Sequence, residues 1–172
     1  MTKRAATRAW PEAAGSADTM ALQGLLEAGR VAIVDTPGDR AAVIEAAARL
    51  LAGPPADAAM IGSGLAERER LASTAIGHGV AIPHARVDGL EQARGAFLRL
   101  SPPVDFGAAD GEPVDLVLAM AVPQGSMQGH LELLAELAER FSDNGFREWL
   151  RQAADHGELA RRLLDGARRI QA

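Results

Sequence analysis

The chain has 172 residues, 48% of them hydrophobic, with 18 Lys plus Arg against 23 Asp plus Glu for a net charge of −5, and it has no cysteine. That length suits one domain hiding roughly 70% of its unfolded surface, and the acidic balance argues against bulk attraction to nucleic acid or anionic lipid. The missing thiol excludes disulfides, thiolate metal sites and cysteine nucleophiles, and the longest apolar run, near Val114–Val122, falls far short of the ~18 residues of a membrane span.

Residues 1–19 are Ala-rich and polar without apolar periodicity, and read as a mobile leader; Lys3, Arg4 and Arg8 precede no apolar stretch of the kind a secretory signal needs, so the expected location is the cytoplasm. Residues 20–168 form the expected working domain, and 169–172 a tail. Leu22, Leu25 and Leu26 suggest a short helix, and Val31–Val34 a strand after it. Asp35-Thr36-Pro37-Gly38-Asp39 is turn chemistry. Val43, Ala47, Leu50 and Leu51 recur at helical spacing from Arg40 to Ala52, and Gly53-Pro54-Pro55 ends that helix. Asp57 is a suitable N-cap for a second helix reaching about Leu71.

Three apolar runs follow: Val80–Ile82, Ala96–Leu100 and Val114–Val122. The last two are long enough for strands buried on both faces. Met127 to Phe141 is amphipathic at helical period, Asp143 caps a further helix carrying Phe146, Trp149, Leu150 and Ala153, and Gly157 separates a final helix with Leu159, Leu163 and Ala167 inward. His156, just before Gly157, reads as a helix cap. The arginines of the last helix complement its dipole. Mixed helices and strands without a repeat indicate a single α/β domain.

With cysteine and tyrosine absent, reactive chemistry falls to His78, His84, His130 and His156. The densest constellation is Glu67 to Arg86. Val80–Ile82 forms a short strand that Pro83 ends or confines to an edge, which puts His84 at a strand lip, where open α/β sheets place ligands. Gly77 and Gly79 permit close backbone approach just before it, and Arg68 and Arg70 close the preceding helix. An imidazole beside guanidinium is held neutral, which suits a nucleophilic lone pair, and arginine offers bidentate donors to a phosphoryl group. His130 lies near a helix N-terminus on the face shared by Leu134, Leu137 and Phe141, where a neutral ring could donate to an anion. At this level the bland readings stay open: a turn histidine at 84, a satisfied core histidine at 130, or a metal site of His78, His84 and Asp88. Ser73 and Thr74 either bond a phosphoryl or satisfy a loop. Arg70 and Arg86 read as solvated arms able to meet a partner protein.

The stretch Glu67–Arg86, the segment from Phe106 to Leu116 and the run His130-Leu131-Glu132-Leu133-Leu134-Ala135 together resemble the enzyme IIA domain of the mannitol/fructose class, phosphoryl carriers of the bacterial phosphoenolpyruvate-dependent phosphotransferase system. Asp110 to Leu116 and Ala138 to Asp143 tilt the resemblance to its nitrogen-regulatory branch. The similarity runs from about Met20 to Leu164. It implies a mixed central sheet sandwiched between helices, with no nucleotide, metal or other cofactor. His84 would accept a phosphoryl group from a phosphorylated HPr-like carrier, Arg68 would lie beside that group, and His130 would be the second active-site histidine. Thr74, Arg70 and Arg86 are candidates for substrate or partner contact.

On the regulatory reading the chain controls target proteins, such as potassium transporters or sensor kinases, according to phosphorylation state. The alternative passes the phosphoryl to a IIB cysteine for fructose or mannitol uptake; the absence of a fused IIB or membrane segment favours the regulatory reading. A non-catalytic binding module is the distant third. His78 is not required by the family pattern, and Ala85 stands where glycine is common.

Overall fold

Side chains of a strand alternate between the two faces of its sheet, and Val114–Pro123 shows the alternation with both faces covered. Val117, Ala119 and Ala121 enter one apolar cluster, while Leu116, Leu118, Met120 and Val122 enter another on the opposite side. A run of this kind, nearly all apolar, belongs at the centre of a sheet with helices above and below.

The computed structural model describes residues 24–125 and 127–165. Its strands are β1 (Leu26–Asp35), β2 (Ala75–Gly77), β3 (Val80–Ala81), β4 (His84–Val87), β5 (Arg94–Val104) and β6 (Val114–Pro123). Its helices are α1 (Arg40–Leu51), α2 (Ala58–Leu71), α3 (Met127–Ser142), α4 (Asn144–Arg151) and α5 (His156–Asp165). The strands form one mixed sheet in the order β1-β5-β6-β3-β2. β5 runs antiparallel to β6, β1 parallel to β5, and β2 antiparallel to β3. Both β3 and β4 pair parallel with β6, Val80 opposite Leu116 and His84 opposite Met120. The expected α/β domain with a mixed sheet between helices is the observed one. No helix among the described residues is long and apolar enough to cross a membrane.

Local chemistry explains most boundaries. Asp39 accepts from the Ala42 amide at 2.9 Å and Asp57 from Met60 at 2.8 Å, each capping the helix that follows. Asp143 takes the Gly145 and Phe146 amides of α4. Val43, Ala47, Leu51, Ile61 and Leu65 put the inner faces of α1 and α2 on one side of the sheet. Leu137, Phe141, Phe146, Leu150, Leu159 and Leu163 of α3 to α5 cover the other, against Phe97 and Leu118. Each large side chain so buried contributes roughly 1.5–3 kcal/mol.

Several expectations need correction. Leu26 begins β1 rather than ending a helix, because parallel pairing with β5 extends N-terminally to Leu26 opposite Gly95. Leu25 is helical, and Leu22 lies outside the described residues. β5 is longer at both ends than Ala96–Leu100, since β6 offers it a partner as far as Val104. Pro83 interrupts a strand instead of ending one: β3 stops at Ala81, and its carbonyl still receives the Met120 amide at 2.9 Å, so pairing resumes at His84. β2 and β4 are too short for sequence periodicity to register.

His156 is not a terminal cap, nor does Gly157 separate two helices; both lie in the first turn of α5. The His156 ring reaches across to β1, where Nε2 accepts the Ile33 amide at 3.0 Å. That bond satisfies an N–H of an edge strand, a group otherwise open to unwanted pairing. Replacing His156 with Ala removes the acceptor, and the expected loss is about 0.5–1.5 kcal/mol in urea unfolding. His156→Gln, whose amide oxygen can accept, should recover part of it. Equal stability of wild type and His156→Ala would count against the bond. The proposed leader (1–19) and tail (169–172), with Ala167 of the expected last helix, lie outside the described residues.

Candidate active site

Period-two alternation also fixes which way His84 looks. Ala85 and Val87 of β4 point into the cluster under α1 and α2, so His84 and Arg86 project from the other face, the side of α3. There His84 meets His130, whose position in the first turn of α3 brings the two ring centroids to 5.1 Å at an interplanar angle of 52°. His84 is half-buried, and its Nδ1 lies 2.7 Å from the Ile82 carbonyl. A carbonyl only accepts, so Nδ1 carries the proton and Nε2 keeps the lone pair. The break at Ile82-Pro83 makes this contact possible, because Ile82 is outside both β3 and β4 and its carbonyl is free of the ladder.

The pKa of His84 is lowered from its ordinary 6.5, first by burial and then by the Arg68 and Arg86 guanidiniums, against an opposing contribution from the Ile82 hydrogen bond. His130 is lowered too, by burial foremost, then by His84, Arg86 and Arg68. The site is therefore two neutral imidazoles in a field of two arginines. Nδ1 of His130 is buried and has no hydrogen-bond partner within the protein.

Arg68 lies in the last turn of α2, half-buried, and Nη1 donates to the Ala72 carbonyl at 2.8 Å. Thus the structure brings His84, His130, Arg68 and Arg86 into one electrostatic unit. Arg70 is separate from it: exposed, it pairs with Glu67 at 2.7 Å on the same helix. Thr74 is turned inward, 6% exposed, and its hydroxyl is given to Glu69. Ser73 is likewise occupied, donating to the Phe106 carbonyl at 2.5 Å and accepting the Ala75 amide at 3.1 Å. His78 occupies a turn with φ of 56°, its amide held by Asp110 at 2.9 Å and its carbonyl by Arg151 at 2.7 Å. Arg151 in turn makes a bidentate pair with Asp115, at 2.8 and 2.9 Å.

Glu69 was not anticipated. Its burial was nevertheless readable, because it follows Ile61 and Leu65 at intervals of four on the inner face of α2.

Known proteins share this fold and much of this sequence. The family described as "Phosphoenolpyruvate-dependent sugar phosphotransferase system, EIIA 2" matches residues 25–165. The nitrogen regulatory protein of Pseudomonas aeruginosa is 40% identical over 147 residues, covering 84% of this chain and 95% of that protein. The crystal structure of nitrogen regulatory protein IIA-Ntr from Neisseria meningitidis is similar with a TM-score of 0.74 at 38% identity, over 81% of this chain and 96% of that one. IIA mannitol of Escherichia coli shares the fold, with a TM-score of 0.64 at 20% identity over 80% of this chain and 98% of its own. A fold of helices on both faces of a mixed sheet, a family match across nearly all the described residues, and relatives of nearly equal length lead to one conclusion: the chain belongs to the EIIA 2 family of the phosphoenolpyruvate-dependent sugar phosphotransferase system, and within it is similar to the nitrogen regulatory IIA proteins.

Proposed function

We propose that His84 accepts a phosphoryl group from the phosphohistidine of an HPr-type carrier, and that the two resulting states of the protein are read differently by regulated partner proteins. The observation that carries this reading is the Nδ1 contact: with its proton committed to the Ile82 carbonyl at 2.7 Å, the neutral ring presents its lone pair at Nε2. In the transfer an Nε2–P bond forms as the donor's N–P bond breaks, and the donor imidazole keeps the electron pair of the broken bond. Arg68 and Arg86 disfavour imidazolium but favour the phosphoryl anion, so one field serves both the acceptor and the product. Positioning and electrostatics of this kind supply most of the catalysis in phosphoryl transfer. His130, with its unpartnered Nδ1, is suited to donate one hydrogen bond to a phosphoryl oxygen.

Exposed Leu71 and Leu131, next in sequence to the site's helix end and to His130, offer apolar contact to a docking protein. A phosphoryl adds about two negative charges, enough to change which partner that surface accepts. Likeness to the nitrogen regulatory proteins of Pseudomonas aeruginosa and Neisseria meningitidis supports regulation as the role of the carrier.

Incubation with phosphoenolpyruvate, enzyme I and an HPr-type carrier should attach an acid-labile phosphoryl group that tandem mass spectrometry assigns to His84. A label on His78 or His130, or none, overturns the proposal. The pH dependence follows from the lowered pKa. Single-turnover acceptance should be flat from neutral pH down to about 6.5 and fall only below it, as His84 protonates. A midpoint above 6.5 would contradict the lowered value. Stability has the same sign. Both histidines bind fewer protons folded than unfolded in the window between their lowered pKa values and 6.5, so stability declines as pH drops through that window.

A further inference from the structure

Glu69 is a buried acid that phosphoryl transfer as described does not use. It is 5% exposed, in the last turn of α2 beside Arg68, and it makes no contact with either active-site ring. A carboxylate is rarely buried without a task. Its two oxygens are both given to one residue: Oε1 accepts the Thr74 amide at 3.2 Å, and Oε2 accepts the Thr74 hydroxyl at 2.5 Å. Its countercharge is Arg40, at 3.8 Å, which is itself fixed by the Asp105 carbonyl at 3.4 Å and by the Phe106 ring at 5.6 Å.

The contacts continue from Thr74 toward the site. The Thr74 carbonyl accepts the Ile82 amide at 3.0 Å. The Ile82 carbonyl then accepts Nδ1–H of His84 at 2.7 Å. Ile82 lies in the gap between β3 and β4, so the sheet ladder does not hold its carbonyl in place. Ala81 and Pro83 tie the Ile82 backbone to β6 on one side, and on the other side Thr74 holds its amide and is itself held by Glu69.

We propose that Glu69, acting through Thr74, is a positioning residue that fixes the Ile82 peptide and thereby the Nδ1–H tautomer and ring orientation of His84. The proposal rests on the reading of His84 as phosphoryl acceptor and adds the group that keeps its lone pair on Nε2. A ring released from this chain of hydrogen bonds samples the Nε2–H form, which has no lone pair to offer at the reacting atom. Misplacement of a reacting group by about 1 Å can cost as much as a hundredfold in rate. The same carboxylate joins α2, which carries Arg68, to the segment that orients His84, so both partners of the phosphoryl are referenced to one anchor.

The test uses the full chain labelled with nitrogen-15 on its histidines. In the wild type, long-range proton–nitrogen correlation spectra should show His84 as the Nδ1–H tautomer. Thr74→Val removes the hydroxyl at nearly constant shape, and Glu69→Gln keeps the size while removing the carboxylate. In both, the Nδ1–H share of His84 should fall, and the single-turnover rate of phosphoryl acceptance should drop roughly tenfold or more, with the half-saturating donor concentration unchanged. Thr74→Ser, which retains the hydroxyl, should restore both readouts. If Thr74→Val does not unfold cooperatively, Glu69→Gln set against Thr74→Ser decides the matter. A wild-type tautomer and rate in the folded variants overturns the proposal, and so does a lost rate with an unchanged tautomer. The spectra need no phosphoryl donor. Failure of wild-type His84 to be phosphorylated is therefore seen separately, as failure of the carrier reading.

Discussion

His84→Ala protein, given phosphoenolpyruvate, enzyme I and an HPr-type carrier, is expected to acquire no acid-labile phosphate. The effect is expected to be all-or-none because substitution removes the atom proposed to form the new bond, and no other imidazole is held in the same way. His130 is the nearest imidazole, its ring centroid 5.1 Å away, yet its Nδ1 is buried and unpartnered and no backbone carbonyl sets its tautomer. His78 sits on an exposed turn and is not among the groups that act on His84. Stability should change little, since His84 is half-buried and its one side-chain bond, to Ile82, is worth about 0.5–1.5 kcal/mol. Measurement is by intact mass and by radiolabel retained in alkali but lost in acid. Undiminished labelling of His84→Ala would remove His84 from the chemistry.

The second large effect is expected at Arg68. Truncation to Ala should slow acceptance by roughly a hundred- to a thousandfold, the usual consequence of deleting one preorganised donor to a developing charge. Arg68 also helps hold the His84 pKa down. In Arg68→Ala the acidic edge of the pH–rate profile should therefore move to higher pH, a shift that loss of a merely structural arginine would not produce. The lost hydrogen bond to the Ala72 carbonyl costs only about 0.5–1.5 kcal/mol. Arg68→Lys should restore the profile's edge but only part of the rate, because an ammonium keeps the charge and not the planar fork. Stopped-flow transfer from phosphorylated donor, measured across pH 5 to about 8, gives both quantities. Wild-type kinetics in Arg68→Ala would place that residue outside the site.

Much of this organisation was legible in the sequence, for identifiable reasons. Asp39, Asp57 and Asp143 cap the helices that follow them because a short acceptor before an apolar-periodic run has few other places to bond. β6 was readable because an almost unbroken apolar run of its length fits only a strand covered on both faces. His84 stood out at a strand lip after Pro83, and His130 because helical spacing puts it on one face with Leu134, Leu137 and Phe141. What was not legible depends on distant partners. The continuation of pairing beyond Pro83 requires β6, more than thirty residues away in sequence, to offer the Met120 amide. The ring of His156 reads as a local cap until β1 is placed beside it. Thr74 stays open between a ligand contact and a loop contact until its acceptor is placed, because in Glu67-Arg68-Glu69-Arg70 the buried Glu69 reads as one more helix-end charge.

The interrupted strand has a consequence for how this site tolerates length variation. Between Ala81 and His84 stand two residues, and with them the odd–even parity of β4 is matched to that of β6. Deleting one residue there would present the following side chains on the opposite face of the sheet, turning the imidazole of His84 away from His130 and into the layer beneath α1 and α2. Removing or adding two would preserve the facing while shifting the site along the strand. The chemistry of the protein is thus keyed to a parity rather than to a shape. A single residue gained or lost beside Pro83 would take His84 away from His130 and, with it, Ala85 and Val87 out of the apolar layer they now fill.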